Sequence, residues 1–237
     1  MSSVLITGGA GFIGSHLAEA LLARGSHVTV LDNFAPFYGR AIKEHHLRPA
    51  LDAGAKLVEG DITDASAVER SFSVEPPHTV VHLAACAGVR PSIADPALYA
   101  HVNVVGTQRL LDAAIRAGVK RFVVPSSSSV YGNNQKVPFA ETDDVSRPIS
   151  PYAATKVATE LICRTASHLH DLPITALRFF TVFGPRQRPD LAIHKFLQRV
   201  AQGESIPVFG DGSTSRDYTY IDDIIDGVLR AIDRCGQ

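Results

Sequence analysis

Short apolar runs alternate along this chain with longer segments whose apolar residues recur at helical spacing. The runs at 3–7, 27–31, 56–59, 79–83, 121–125 and 174–178 predict strands. The segments 12–24, 39–52, 64–72, 96–117, 152–170, 190–202 and 221–233 predict helices. Such alternation predicts an α/β fold, a doubly wound parallel sheet covered by helices on both faces. No internal repeat or low-complexity linker interrupts the pattern. From about Phe180 its character changes, with Gly184-Pro185, Gly203, Gly210-Asp211-Gly212 and short strands. We therefore expect a main domain over 1–179 and a smaller, partial lobe over 180–237, whose last helix is placed to pack back on the main domain.

The first apolar run, Val4-Leu5-Ile6-Thr7, leads directly into Gly8-Gly9-Ala10-Gly11-Phe12-Ile13-Gly14 and then an amphipathic helix. Gly8, Gly9 and Gly11 permit a tight turn and close backbone approach to a pyrophosphate. Gly14 permits close helix–sheet packing. The helix start, at Phe12 and Ile13, offers free N–H groups and the positive end of a dipole to phosphates. The second strand ends in Asp32-Asn33, at a distance that suits a carboxylate hydrogen-bonded to an adenosine ribose. Strand, loop, helix, strand and acid in register mark a Rossmann-like dinucleotide site. Asp32 repels a 2′-phosphate, so NAD is expected over NADP.

Other strand ends fall where such a sheet places its ligands. Asp61-Ile62 follows the third strand. Asp61 suits an adenine amino group, and Asp61, Thr63 or Asp64 also suits the N-cap of the next helix. His82-Leu83-Ala84-Ala85-Cys86 follows the fourth strand, and its small residues allow the backbone close to a cofactor. Asn103, inside the predicted helix 96–117, reads first as a buried amide fixing a neighbouring strand and second as catalytic.

The fifth strand leads into Pro125-Ser126-Ser127-Ser128-Ser129-Val130-Tyr131-Gly132, and Ser150-Pro151-Tyr152-Ala153-Ala154-Thr155-Lys156 follows. Tyr152 and Lys156 lie one helical turn apart on one face. A phenol titrates near 10, and bringing it to about 7 takes about 4 kcal/mol of preferential stabilisation of the phenolate. A neighbouring ammonium supplies part of that, and a bound cationic nicotinamide supplies more.

Composition narrows the setting. With 237 residues, 45% hydrophobic and 20% charged, the chain suits one α/β domain and part of a second lobe. A net charge of -1 gives no argument for nucleic acid or an acidic membrane as partner. No signal peptide or membrane-length apolar run is present, so a cytoplasmic enzyme is expected. Cys86, Cys163 and Cys235 are odd in number and scattered, as reduced thiols are. The histidines show no ligand spacing, and no metal site is expected.

Together, the glycine loop, Asp32, the serine run before Val130-Tyr131-Gly132 and Tyr152-x-x-x-Lys156 resemble an extended short-chain dehydrogenase/reductase of the NAD-dependent epimerase/dehydratase family. The likeness spans essentially the whole chain. It implies Ser127 as the catalytic serine, with Ser128 the alternative within the run. It further implies Tyr152 as acid/base, and Lys156 anchoring the nicotinamide ribose and lowering the tyrosine pKa. Dehydratases and uronate decarboxylases of the family usually carry an acid just before Val-Tyr-Gly. Here Ser127-Ser128-Ser129 has none, which favours epimerisation. Arg178-Phe179-Phe180-Thr181-Val182-Phe183-Gly184-Pro185-Arg186-Gln187-Arg188-Pro189-Asp190, with Ala87-Gly88-Val89-Arg90 and Arg216-Asp217-Tyr218, is similar to UDP-glucuronate 4-epimerases.

That resemblance implies transient oxidation at C4 of UDP-glucuronate and return of hydride to the other face, giving UDP-galacturonate. The 4-keto uronate is a β-keto acid prone to decarboxylation, so its carboxylate must be held. Arg188, Thr181 and Ser128 are the candidates. The alternative for Arg188 is an ion pair with Asp190. Arg216 is expected on the diphosphate, or else paired with Asp222 or Asp223. Phe209 is expected at the uracil, and Arg90 at an anion or as a loop anchor. Family members run longer than this chain, so a C-terminally truncated substrate lobe is expected. Two alternatives stand beside the uronate reading. One is an epimerase for neutral or N-acetylated UDP-hexoses. The other is an NAD-binding but catalytically silent homologue. Relatives also imply a homodimer through 96–117 and 152–170.

Overall fold

The computed structural model describes residues 2–207, 210–211 and 215–236. Its centre is a parallel sheet of β1 (Ser3–Thr7), β2 (His27–Asp32), β3 (Lys56–Glu59), β4 (Thr79–His82), β5 (Arg121–Ser127) and β6 (Ile174–Phe179). The strand order is β3-β2-β1-β4-β5-β6. β1 pairs with β2 on one side and β4 on the other. The chain therefore reverses direction across the sheet at β1, and a crevice opens at the carboxyl ends of β1 and β4.

Helices cover both faces. They are α1 (Phe12–Ala23), α2 (Arg40–Asp52), α3 (Ala65–Val74), α4 (Val89–Ala94), α5 (Pro96–Ala100), α6 (Thr107–Arg116), α7 (Pro151–His170), α8 (Ala192–Ala201) and α9 (Ile221–Arg234). Side-chain alternation along β1 decides which face each residue serves. Val4 and Ile6 join the core with Leu17, Leu21, Val228 and Ile232 from α1 and α9. Leu5 joins the opposite core with Leu110, Leu111, Phe122 and Cys163. Burial of each such side chain contributes about 1.5–3 kcal/mol.

The expected helix 96–117 is broken. α5 gives way to a π-helical turn, His101–Gly106, before α6 begins. The wider turn carries Asn103 into the interior, where it is 1% exposed. α4 is an addition that the apolar pattern did not predict. Beyond β6, β7 (Thr181–Phe183) and β8 (Tyr218–Tyr220) pair in parallel as a separate two-stranded sheet. α8 buries none of its residues, whereas α9 buries Ile221, Ile225, Val228, Leu229 and Ile232.

The helix that carries Tyr152 and Lys156 starts at a defined point. Ser150 caps α7, its hydroxyl accepting the Ala153 N–H at 3.1 Å, and Pro151 occupies the first turn where its missing N–H costs nothing.

Candidate active site

The glycine loop is clamped between β2 and β4. Gly8 N–H donates to Leu31 carbonyl at 2.8 Å. Gly8 has φ +72°, and a Cβ there would lie 2.7 Å from the Ala84 nitrogen. At Gly14 a Cβ would lie 2.3 Å from the Gly8 carbonyl oxygen, so only glycine lets α1 seat this close to the loop. α1 has Gly11 as its N-cap with no capping side chain, which leaves the first-turn N–H groups of Phe12, Ile13 and Gly14 for a phosphate. Asp32 holds the loop from the other side. Its carboxylate accepts the Ala10 N–H at 2.9 Å and the Phe34 N–H at 2.8 Å. Burial raises the Asp32 pKa, against the opposing pull of these two N–H groups and of Lys43. The backbone cradle and the buried acid fit the diphosphate and ribose of a dinucleotide.

Asn33 and Asp61 face each other across β2 and β3, the Asn33 amide donating to Asp61 Oδ2 at 2.6 Å. Asp61 Oδ1 accepts both the N–H and the hydroxyl of Thr63 at 2.7 Å. Burial pushes the Asp61 carboxyl up, but these hydrogen bonds outweigh it and hold the group below its usual value. The cap of α3 is Asp64, not Asp61 or Thr63. Ile62 is buried beside them.

Beneath Leu83-Ala84-Ala85 runs a buried polar chain. The Ala84 N–H donates to Thr7 Oγ1 at 3.2 Å, and Thr7 lies 2.7 Å from His82 Nδ1. His82 Nε2 lies 2.9 Å from Thr107 Oγ1, whose own proton goes to the Asn103 carbonyl at 2.6 Å. Counting protons assigns the neutral Nε2–H tautomer to His82. Burial, with the Lys156 charge adding to it, pushes the His82 pKa down to about 3. The Asn103 amide accepts from Cys86 N–H at 2.8 Å and donates to Cys86 carbonyl and Thr155 Oγ1, each at 3.0 Å. Thr155 in turn donates to the Tyr152 carbonyl at 2.8 Å. Asn103 thus fixes the loop after β4 to α7.

β5 and α7 bring the serine run to the tyrosine. The Ser127 hydroxyl lies beside the Tyr152 phenol and favours its ionised form. Ser126 turns instead to Glu160, which also holds Arg178 through two hydrogen bonds of 3.0 and 2.8 Å. Ser128 begins a 3₁₀ turn, Ser128–Tyr131. Within the run, Ser127 is the serine that acts on the phenol's ionisation.

Lys156 is 5% exposed and donates to the Pro125 carbonyl at 2.9 Å. Burial drives its pKa down to about 8, with Cys163 and Glu160 opposing. The expected lowering of the tyrosine pKa is not seen. Burial raises the Tyr152 pKa, opposed by the Ser127 hydroxyl and the Arg188 charge. The reason is geometric: the ammonium points at β5, and the phenol at Ser127.

The substrate-binding candidates are less gathered. Thr181 is half-buried in β7, opposite Tyr218. Arg188 is paired, through Nε to Asp190 Oδ1 at 3.0 Å and Nη2 to Oδ2 at 2.8 Å. Its guanidinium also lies 4.7 Å from the Phe37 ring centroid. Arg216 is exposed and donates to the Ser215 carbonyl at 2.7 Å, not to Asp222 or Asp223. Arg90 is exposed on α4. Phe209 lies outside the described residues. His82, Thr155, Glu160, Gln187 and Phe37 carry contacts that sequence reasoning missed. A histidine closing an otherwise apolar strand was the one legible signal among them.

A doubly wound sheet, a glycine-lined crevice at its switch point and a Ser–Tyr–Lys group at its mouth define a dinucleotide-binding class of protein. The model of the NAD-dependent epimerase/dehydratase family matches residues 4–237, and the chain belongs to that family. It is 46% identical over 235 residues to UDP-glucuronate 4-epimerase 3 of Arabidopsis thaliana, covering 98% of this chain and 55% of that protein. It is 41% identical over 227 residues to a probable UDP-glucuronate 4-epimerase of Rhizobium meliloti, covering 95% of this chain and 67% of that one. The chain thus spans about half the length of the Arabidopsis relative. Among solved structures it is similar to UDP-glucuronic acid 4-epimerase from Bacillus cereus, in complex with UDP-glucuronic acid and NAD. The TM-score is 0.91 at 36% identity, over 99% of this chain and 74% of that one. UDP-glucose 4-epimerase from Thermotoga maritima, with UDP-glucose, matches at TM-score 0.89 and 38% identity, over 98% and 73%.

Proposed function

We propose that this chain carries the cofactor site and the acid/base group of an NAD-dependent UDP-sugar 4-epimerase, acting on UDP-glucuronate to give UDP-galacturonate. The observation that carries the reading is the placing of Ser127 at the end of β5 beside Tyr152 and buried Lys156 on α7, at the mouth of the glycine-lined crevice. Bound NAD supplies a hydride acceptor, and then donor, at C4 of the sugar. Tyr152 takes the proton of the 4-hydroxyl and later returns it. Ser127 donates to the phenolate and orients the sugar oxygen. Lys156 holds the nicotinamide ribose, its buried ammonium anchored on the Pro125 carbonyl of β5.

Tyr152 stands above its ordinary pKa in the free protein, so it becomes a competent base only when positive charge arrives beside it. Gly8, Gly11, Phe12, Ile13 and Gly14 take the pyrophosphate, Asp32 and Asn33 the ribose, Asp61 and Ile62 the adenine, and Leu83, Ala84 and Ala85 the nicotinamide side. With no carboxylate in Ser127-Ser128-Ser129, the site lacks the additional acid/base group that dehydration uses. Arg188, Thr181 and Ser128 hold the sugar carboxylate, and Arg90, Arg216 and Phe209 the UDP moiety. The relatives named UDP-glucuronate 4-epimerase support this substrate.

One observation favours a second reading, epimerisation of a neutral UDP-hexose: Arg188 already has a counter-ion in Asp190. Turnover of UDP-glucuronate, UDP-glucose and UDP-N-acetylglucosamine by the NAD-loaded protein tests both. Conversion of UDP-glucose with none of UDP-glucuronate selects the second. A homodimer is part of the same proposal, since Leu98, Val105 and Leu161 are 46%, 40% and 59% exposed on the segments concerned. Among the described residues no helix is long and apolar enough to cross a membrane. We place the enzyme in the cytoplasm on its reduced, scattered cysteines.

A further inference from the structure

We propose that Asp190 is the internal counter-ion of Arg188 and sets how sharply the site separates a charged sugar from a neutral one, a role that rests on the uronate reading above. Gln187, 5% exposed, anchors the segment between two arginines. Its amide donates to the Val182 carbonyl at 2.9 Å and accepts the His194 N–H at 3.2 Å. With the backbone pinned there, the two arginines take different partners. Arg186 turns to α1, donating to Glu19 at 2.6 Å and Ser15 at 3.3 Å. Arg188 lies over Phe37 and grips Asp190 with Nε and Nη2.

The two partners are unequally solvated. The Arg188 side chain is 18% exposed and that of Asp190 is 41%. The cation is the group that suffers without a counter-charge, and the anion is the one that water can take back. The Arg188 charge also reaches Tyr152 and Tyr99, so the pair sits within electrostatic range of the reacting centre.

A fork-on-carboxylate contact is the geometry a uronate would adopt on an arginine. Asp190 takes the Nε/Nη2 edge, which leaves Nη1 and the second Nη2 hydrogen as an edge for another carboxylate. A bound uronate on that edge shares a guanidinium charge that Asp190 already neutralises, and so gains less than it would from an arginine without a counter-ion. A neutral hexose leaves the Arg188–Asp190 pair intact and avoids stranding a poorly solvated cation. Asp190 thereby narrows the difference between the two sugars, and its removal widens it.

The test is Asp190→Asn in the NAD-loaded 237-residue chain. kcat/KM and calorimetric binding are measured for UDP-glucuronate and UDP-glucose. The preference for UDP-glucuronate is expected to rise on the order of ten-fold, as for a partly desolvated charge pair, and Asp190→Glu to return it to the wild-type ratio. A preference that is unchanged or reduced in Asp190→Asn, or that stays raised in Asp190→Glu, overturns the proposal while the uronate reading stands. A wild type that binds and converts UDP-glucose but not UDP-glucuronate overturns that reading, and the proposal with it.

Discussion

The amide of Asn103 donates to the hydroxyl of Thr155 at 3.0 Å, joining the π-helical turn to the helix that presents Tyr152 and Lys156. The same amide group holds both the N–H and the carbonyl of Cys86, so one buried side chain sets the cofactor loop and the catalytic helix against each other.

Replacing Asn103 with alanine strands these buried groups. Loss of about 2–4 kcal/mol of stability is expected, read as a lower urea midpoint at an unchanged slope. A midpoint within error of wild type would show that water replaces the amide freely.

His82 is expected to make the fold acid-labile. Its folded pKa is depressed to about 3, so the unfolded chain binds the extra proton first as pH falls. The stability that neutral His82 contributes is complete above about pH 6.5 and is lost as pH falls toward 3. By pH 4 the loss is on the order of 3 kcal/mol. His82→Gln should be weaker at pH 7 but flatter between pH 7 and 4 in denaturant titrations. Equal slopes for both proteins would contradict the buried neutral imidazole.

Lys156 carries the opposite consequence at high pH. Its folded pKa is about 8 against an ordinary 10.5, so the cost of burying its charge is relieved as pH rises through 8. Wild type should gain about 3 kcal/mol on Lys156→Met between pH 8 and 10.5. Chemical denaturation of both proteins across that range measures it, and a constant difference would contradict a buried charged lysine.

Asp32 is held by two backbone N–H groups and faces the proposed ribose position. Asp32→Asn is expected to lower stability by about 1–3 kcal/mol, because one of those N–H groups then meets an amide NH₂. It should also shift the NADP-to-NAD affinity ratio upward by at least about ten-fold. Fluorescence titration with both cofactors decides it.

Much of this fold is legible in the hydrophobic pattern because β-strands sort their residues strictly by parity. Val4, Leu5 and Ile6 go to alternate cores as their positions require, and the run 3–7 coincides with β1. The break in 96–117 was hidden because a π-helical turn keeps nearly the same apolar spacing as an α-helix while inserting Asn103. The β7–β8 pair was hidden for another reason. Two three-residue strands meet from Thr181 and Tyr218, too short and too distant in sequence for a local signal. At the site, the run of serines left Ser127 and Ser128 open, and only the fold separates them: Ser127 ends β5 beside the phenol, and Ser128 begins the 3₁₀ turn. The direction of Lys156 was not legible either. Helical spacing puts it on the face of Tyr152, but the four-carbon side chain is free to seek the Pro125 carbonyl instead.

The most direct test is conversion of UDP-glucuronate by the NAD-loaded protein beside its Tyr152→Phe variant, with product sugars separated and NADH followed. The account predicts UDP-galacturonate without net NADH, and a loss of about 10²–10⁴-fold in Tyr152→Phe with NAD binding retained. Equal turnover by the two proteins, or no UDP-galacturonate from a wild type that retains NAD, would contradict it.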